Sequence, residues 1–211
     1  MYSSESMVPD RLFAGTNPTY AAEGVTLLAG SGTLKRGTVL GKITKAIASD
    51  HGTNAGNGTI SLVTLGKAAK LGVYKITCTT KATAAVFSVL DPDGFRLADA
   101  LAGTAYAGPV NFTLTQGATV FEVGDSFTVT VSAGSGKCVI VDSTKVDGSQ
   151  ESYGILSETV TVPAAADLVS SAYITGEFNE NALTFGGTDT AATHKEALKQ
   201  KGIILRTPVK A

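Results

Sequence analysis

The sequence has no tryptophan, two cysteines, two histidines and few charged residues, and these scarcities exclude several classes of protein. Charged side chains make up 17% of the 211 residues and almost cancel, to a net charge of −1. The overall charge therefore provides no attraction to nucleic acid or to an anionic membrane surface. No apolar run approaches the roughly 20 residues that a membrane-spanning helix needs. We expect neither nucleic acid nor a membrane as a direct partner, and the 43% hydrophobic residues indicate a packed globular protein.

The N-terminal sequence lacks the basic segment and following apolar run of a secretion signal, so we expect synthesis and use without export by the general secretory route. The two cysteines, Cys78 and Cys138, both fall in strand-like runs. Two buried thiols in a reducing compartment are the favoured interpretation, and a disulfide between them is the alternative.

Residue patterns that carry catalysis, metal binding or phosphate binding are missing as well. His51 and His194 are the only histidines, and neither has another His or Cys at the spacing of metal ligands. We expect His194 to be an exposed helix residue. Residues 32–37 have the glycine spacing of a phosphate-binding loop without the Lys-Ser/Thr that must follow, and residues 134–136 lack the Gly-x-Ser-x-Gly pattern of a serine hydrolase. We therefore expect no enzyme activity, no cofactor and no metal site.

Short alternating segments dominate what is present. Residues 73–79 and 127–131 alternate apolar and polar side chains, and residues 91–94, an Asp-Pro-Asp-Gly sequence, are a strong turn signal. Strands separated by such turns are typical of an antiparallel sandwich or barrel, so we assign residues 57–136 to a β-sandwich-like module. Strands are predicted at residues 25–28, 38–44, 60–65, 73–79, 85–90, 110–114, 120–123, 127–131, 137–142, 153–156 and 203–205, and a loop at 46–58.

The C-terminal part contains one predicted helix and one informative strand. Residues 190–201 are predicted to form the helix, with a threonine cap at its start and Gly202 at the position where a helix commonly ends. Residues 172–183 are predicted to form a short strand that enters a turn, because Gly176 tolerates a positive φ and Asn179 can hydrogen-bond its own backbone.

Taken in chain order, the outer segments resemble the head decoration proteins of lambda-type tailed phages. The segments that carry the resemblance are residues 12–15, 34–43, 147–150, 153–156, 174–183 and 201–205. They fall within about residues 1–50 and 138–211, whereas residues 57–136 have no counterpart in the short members of the family. The family-motif positions are Arg36, Gly37, Gly41, Tyr153, Gly176, Glu177, Phe178 and Asn179.

The resemblance implies a mainly β fold in three parts. These are an N-terminal arm of residues 1–20, a β-clip-like core with one C-terminal helix formed by residues 21–56 and 137–211, and an inserted antiparallel β-sandwich-like module at 57–136. It also implies a homotrimer, made in the host cytoplasm, that binds the major capsid protein on the outer surface of the virion. At local threefold sites of the expanded capsid, this trimer would cement capsomers against the pressure of the DNA.

The same resemblance implies a role for the arm, which would add a strand to the capsid protein. The capsid-binding residues are expected to be Arg11, Leu12, Phe13, Ala14 and Gly15. Leu12 and Phe13 would be the apolar anchors. Deletion of residues 1–15 is then expected to abolish capsid binding and to leave the fold intact.

The alternative function is that of a carbohydrate- or host-surface-binding β module. Such modules commonly stack exposed aromatic rings on sugar faces, but this chain has no tryptophan and most of its phenylalanines occupy core-like alternating positions. Tyr106, in a glycine-rich loop, is the best candidate for an exposed aromatic platform.

Overall fold

A computed structural model describes residues 11–14 and 19–207 of the chain. As predicted, the described chain is mainly β with one α-helix. The strands are β1 (Ala21–Leu27), β2 (Gly32–Leu34), β3 (Val39–Lys42), β4 (Lys45–His51), β5 (Thr59–Leu65), β6 (Gly72–Thr80), β7 (Val86–Leu90), β8 (Ala100–Leu101), β9 (Ala105–Tyr106), β10 (Val110–Thr115), β11 (Ser126–Ala133), β12 (Cys138–Ile140), β13 (Ser152–Leu156), β14 (Val160–Val162), β15 (Leu168–Asn179) and β16 (Ile203–Arg206). The helix α1 covers Ala191–Gln200, and a 3₁₀ turn covers Glu180–Ala182.

The chain forms two compact units. Unit 1 contains the residues up to 43 and those from 136 onward, and unit 2 is Thr44–Ser135. Unit 2 thus begins before residue 57, where the sequence placed the start of the module. The difference is β4, which occupies residues 46–51 of the predicted 46–58 loop and pairs along its whole length with β11. Its alanines and serine are weak strand formers, so the neighbouring strand and not local propensity determines its conformation.

Unit 1 is built around a closed ring of strands. Its sheet has the order β1-β12-β3-β13-β15-β16, and a further pairing of β1 with β15 closes the first five strands on themselves. Strand β16 adds to β15 in parallel, and α1 packs against β13 and β16. The helix lies where the sequence predicted it and ends at Gln200, two residues before Gly202, whose φ is +80°.

Unit 2 contains a five-stranded sheet, β4-β11-β6-β7-β8, and a three-stranded sheet, β5-β10-β9. The predicted alternation in β6 is confirmed, because Tyr74, Ile76 and Cys78 are buried. The strand predicted at 120–123 is wrong. That segment is a loop, in which only the ring of Phe121 is buried, against Phe87 and Phe127 with centroid distances of 5.0 and 5.9 Å.

The two cysteines are free and buried, as the favoured interpretation predicted. Burial raises the pKa of the Cys138 thiol to about 11 and also raises the pKa of the Cys78 thiol. Since the thiolate is the reactive form, neither cysteine is suited to redox or nucleophilic chemistry at neutral pH.

Candidate functional site

The end of β15 lies between two other segments of unit 1. One is β16, and the other is residues 11–14, which we call the arm segment. The Ala14 amide donates to the Glu177 carbonyl at 3.0 Å, and the Asn179 amide donates to the Leu12 carbonyl at 2.9 Å. The arm segment therefore continues this sheet as a short antiparallel partner of β15.

The ring of Phe13 lies among other aromatic rings. Its centroid is 5.2 Å from that of Tyr20, 5.1 Å from that of Tyr173 and 5.2 Å from that of Phe178. The guanidinium carbon of Arg36 lies 5.8 Å from the same ring, within the range of a cation–π interaction. Aromatic pairs at such distances contribute roughly 0.5–1.5 kcal/mol beyond their buried area.

Leu12 is 3% exposed and belongs to the core of unit 1. Its buried cluster includes Val39, Val141, Ile155, Phe178, Leu198, Ile203 and Leu205. The two residues expected to anchor the arm on a capsid protein are thus anchored on their own unit, and their binding to a capsid protein stays a prediction. Gly15, the last residue of the expected set, lies outside the described part of the chain.

Two family-motif glycines shape the place where the arm segment lies. Gly37 has a φ of +89°, and a Cβ atom there would lie 2.5 Å from the Ala182 carbonyl oxygen and 3.2 Å from Leu12 Cδ1. Gly176, which lies within β15 and not in a turn, has the positive φ that the sequence allowed for, +142°, and a Cβ there would lie 2.9 Å from the Phe178 ring. Any side chain at either position would strain the backbone and displace the apolar contacts.

Side chains at the end of β15 fix its neighbours. Asn179 Oδ1 accepts from the Asn181 amide at 3.0 Å, which confirms the predicted turn role, and Asn179 Nδ2 donates to the Arg11 carbonyl at 3.0 Å. One amide side chain thus joins the 3₁₀ turn to the arm segment. Glu177 accepts two hydrogen bonds from Arg206 of β16, at 3.0 and 2.9 Å.

The remaining two motif positions contact other parts of unit 1. A Cβ on Gly41 would lie 2.0 Å from the Ser149 carbonyl oxygen, so only glycine lets the 147–150 loop pack on β3. Tyr153 donates its hydroxyl to Glu23, and this bond is the main cause of the raised pKa of the tyrosine. Lys42 Nζ lies 4.6 Å from the centroid of the Tyr153 ring.

The expectation that His194 is exposed is wrong, because its side chain is buried beneath α1. Its Nδ1 lies 3.0 Å from Ser152 Oγ and its Nε2 lies 2.9 Å from Asp189 Oδ2. The ring stacks on Phe185, with centroids 5.4 Å apart. Asp189 also accepts from the Ser143 hydroxyl and amide, and these bonds, with His194, lower its pKa to about 2.

Serine, histidine and aspartate in one hydrogen-bonded chain are also the residues of a hydrolase triad, but the geometry here differs. Ser152 is 0% exposed, so no substrate reaches its hydroxyl. Here the serine contacts Nδ1 of the histidine and the carboxylate contacts Nε2. In a hydrolase triad the serine contacts Nε2 and the carboxylate contacts Nδ1, so the arrangement is reversed. The network instead links α1 to β13 and to the loop that carries Asp189. In the sequence, His194 has no His, Ser or Asp partner at a recognisable spacing, so nothing indicated this role.

Ten of the predicted positions therefore come together at one place, at residues 11–14, 36–37 and 176–179. We call the centre of this place the arm seat. It consists of Leu12, Phe13, Arg36, Gly37, Phe178 and Asn179. Sequence reasoning missed Tyr20 and Tyr173, which contact Phe13 there. Their separation of more than 150 residues leaves no periodic pattern to detect.

The aromatic residue expected to serve as a sugar platform is not placed for that role. Tyr106 is 8% exposed, and its ring stacks on Phe112 with centroids 4.6 Å apart. Tyr106 is therefore a core residue of unit 2, and the expectation that it forms an exposed platform is wrong.

No group of three or more His, Cys, Asp or Glu side chains in the described chain is placed to hold a metal ion. Among the same residues, no helix is long and apolar enough to cross a membrane.

Comparison with known proteins gives one extensive match. The model of one protein family, described as bacteriophage lambda head decoration protein D, matches residues 1–204. No curated protein matches the sequence.

Solved structures that match include flagellar FlgL proteins. One crystal form of FlgL from Xanthomonas campestris is 16% identical, with a TM-score of 0.32, over 47% of this chain and 33% of the FlgL chain. A second crystal form is 17% identical, with a TM-score of 0.33, over 47% of this chain and 32% of the FlgL chain. The flagellar junction protein FlgL from Legionella pneumophila shares 17% identity with 47% of this chain and 36% of its own, with a TM-score of 0.30. This chain thus spans about a third of their length, and TM-scores this low do not establish a shared fold.

Proposed function

Because the chain belongs to the family of the bacteriophage lambda head decoration protein D, we propose that it cements the expanded phage capsid. In this proposal a homotrimer binds the major capsid protein at local threefold sites on the outer surface and ties neighbouring capsomers together. The family is one of structural capsid proteins and not of enzymes. Synthesis in the host cytoplasm, and a role without nucleic acid, membrane or catalysis, belong to the same proposal.

The family match over residues 1–204 carries this proposal, and the physical logic of a lattice supports it. Each contact of a decoration protein with a capsomer is modest. A trimer that bridges several capsomers engages them at high effective concentration, and its binding stabilises only the assembled state. Many such sites on a closed shell then resist internal pressure without covalent chemistry.

The arm seat refines how the arm would work. The arm segment is held on its own unit, and the preceding residues 1–10 lie outside the described chain. We propose that residues 1–10 contact the capsid protein and that the arm segment fixes the point from which they start. Removal of residues 1–15 would then damage unit 1 as well as capsid binding, contrary to the expectation from sequence.

Two deletions separate these roles. Loss of residues 1–10 is expected to leave the thermal transition of the protein unchanged. It is also expected to reduce the occupancy of the shortened protein on expanded capsids that carry no decoration protein beforehand. Loss of residues 1–14 is expected to lower the transition temperature too, because it removes Leu12 from the core. Cosedimentation with capsids and calorimetry measure the two effects. Full occupancy by the chain that lacks residues 1–10 would contradict the role of the arm.

Unit 2 is proposed to be an insertion that capsid binding does not require. The two ends of unit 1 that flank it are adjacent, since the Ile43 amide donates to the Lys137 carbonyl at 2.9 Å and the Gly136 amide donates to the Ile43 carbonyl at 2.9 Å. A short linker from residue 43 to residue 136 therefore spans the excision. The shortened chain is expected to fold and bind capsids, and loss of binding by a folded shortened chain would show that unit 2 makes capsid or neighbour contacts.

A further inference from the structure

The aromatic side chains of unit 2 are unevenly distributed. Six of the seven are buried, namely Tyr74, Phe87, Tyr106, Phe112, Phe121 and Phe127. The seventh, Phe95, is 69% exposed. Since every residue of unit 2 is described, Phe95 is the one aromatic ring that this unit presents to solvent. A lone exposed apolar residue is ordinary on a protein surface, so its surroundings decide whether it is built for binding.

The backbone that carries Phe95 is held on both sides. The Phe95 amide donates to Asp91 Oδ1 at 2.8 Å, and the Phe95 carbonyl accepts from the Asp91 amide at 2.9 Å. Asp91 Oδ1 also accepts from the Asp93 amide at 3.0 Å, and the Gly94 amide donates to the Asp91 carbonyl at 2.9 Å. Asp91 itself is buried and bound by Lys70 at 2.9 Å. The backbone that carries the ring is thus held in a fixed turn, so binding costs little backbone entropy.

Polar side chains surround the exposed ring. Lys70 Nζ lies 5.9 Å from the ring centroid and bonds to Asp93 at 2.5 Å, and Arg96 next to the ring bonds to both oxygens of Asp99 at 2.9 and 3.1 Å. These side chains remain substantially exposed, between 40% and 62%. Each cation is matched by a carboxylate, so this rim offers both hydrogen-bond donors and acceptors without an excess of charge.

We infer that Phe95 and this rim form a binding site for a neutral saccharide. The C–H face of a pyranose ring fits the exposed phenyl face, and its hydroxyls, each both donor and acceptor, fit a mixed rim of carboxylates and cations. Nucleic acid is disfavoured because the cations are already paired. A protein partner is disfavoured because a single ring amid charged residues is far smaller than the roughly 800 Å² per partner that a stable interface needs.

A single ring on an open surface binds a saccharide weakly. Weak binding is sufficient for a particle that carries many copies of the chain. Binding of a particle to a sugar-covered cell would add these weak contacts through effective concentration. This use of the site rests on the proposed capsid location, whereas the site itself does not.

The test uses the full-length chain, biotinylated at its N-terminus and tetramerised on streptavidin, so that capsid binding is not needed. The tetramer is applied to an array of immobilised mono- and oligosaccharides. We expect binding to at least one class of neutral sugar, abolished by periodate oxidation of the array. Phe95→Ala is expected to weaken it by roughly tenfold, the loss of one stacked ring. Val123→Ala, which truncates another exposed apolar residue of unit 2, is the matched control and is expected to change nothing.

Three results would overturn the inference. They are the absence of binding to any sugar on the array, binding that Phe95→Ala leaves unchanged, and Phe95-dependent binding that survives periodate oxidation of the array. A calorimetric transition identical to that of the unmodified chain shows that Phe95→Ala is folded, and we expect this because the ring is exposed. A tetramer that binds sugar while the protein fails to bind capsids would refute the proposed function and leave this inference in place.

Discussion

Replacement of Leu12 by alanine is expected to release the arm segment without unfolding the rest of unit 1. Leu12 is buried at 3% exposure, and truncation of a buried leucine to alanine costs about 2–5 kcal/mol. The loss of stability cannot exceed the free energy of detaching the arm segment, because a segment near the chain end can detach while the rest of unit 1 stays folded. Detachment gives up three hydrogen bonds to β15, each with a net value of about 1 kcal/mol, together with the ring contacts of Phe13. We therefore expect a destabilisation of about 2–4 kcal/mol, confined to this seat.

Amide hydrogen exchange measures this opening at named positions. The Ala14 and Asn179 amides bond across the seat, so their exchange is expected to accelerate by about 30- to 700-fold. Amides of unit 2 are expected to keep their protection. Val169→Ala is the control, because Val169 lies on the same strand and is 75% exposed. Wild-type protection of both amides in Leu12→Ala would refute the reasoning that the side chain holds the arm segment in place.

Two further predictions concern unit 1. Asp189 has a pKa of about 2 in the folded protein, below the value near 3.9 of a free aspartate, so its contribution to stability is present above about pH 4 and is lost as the pH falls toward 2. Urea titrations at several pH values are expected to show this loss, and Asp189→Asn is expected to reduce the pH dependence of the free energy of unfolding. If that dependence is unchanged in Asp189→Asn, the role of Asp189 is contradicted. Gly41→Ala brings a Cβ within 2.0 Å of a backbone carbonyl and is expected to destabilise by about 1–3 kcal/mol or more, whereas Gly24→Ala, with open space at its Cβ position, is the control. Equal melting temperatures for the two variants would show that the 147–150 loop moves aside freely.

Sequence patterns predicted the features that local residue order determines. The helix was found because its threonine cap and terminal glycine are adjacent to it in the chain. The alternation in β6 was found because one face of that strand is buried and the other is solvated. Strand β4 was missed for the converse reason, since its exposed small and polar residues carry no alternation and its conformation depends on β11.

The candidate site could be predicted only in part. Family motifs identified the arm segment, Gly37 and the end of β15, but not that these parts contact each other. The burial of His194 was missed because its partners, Ser152 and Asp189, are identified only by the fold. The exposure of Phe95 was missed because a phenylalanine in a β-rich sequence is usually a core residue. Contacts between residues distant in sequence leave no periodicity, so only the structure reveals them.

A structural cement must be present in numbers that match the lattice it covers, and this makes copy number the most direct test. Quantitative mass spectrometry of gradient-purified virions from the phage that encodes the chain measures its ratio to the major capsid protein. If the chain is a capsid cement, we expect its copy number to be close to that of the major capsid protein. Absence of the chain, or its presence in only a few copies per virion, would contradict the role as capsid cement.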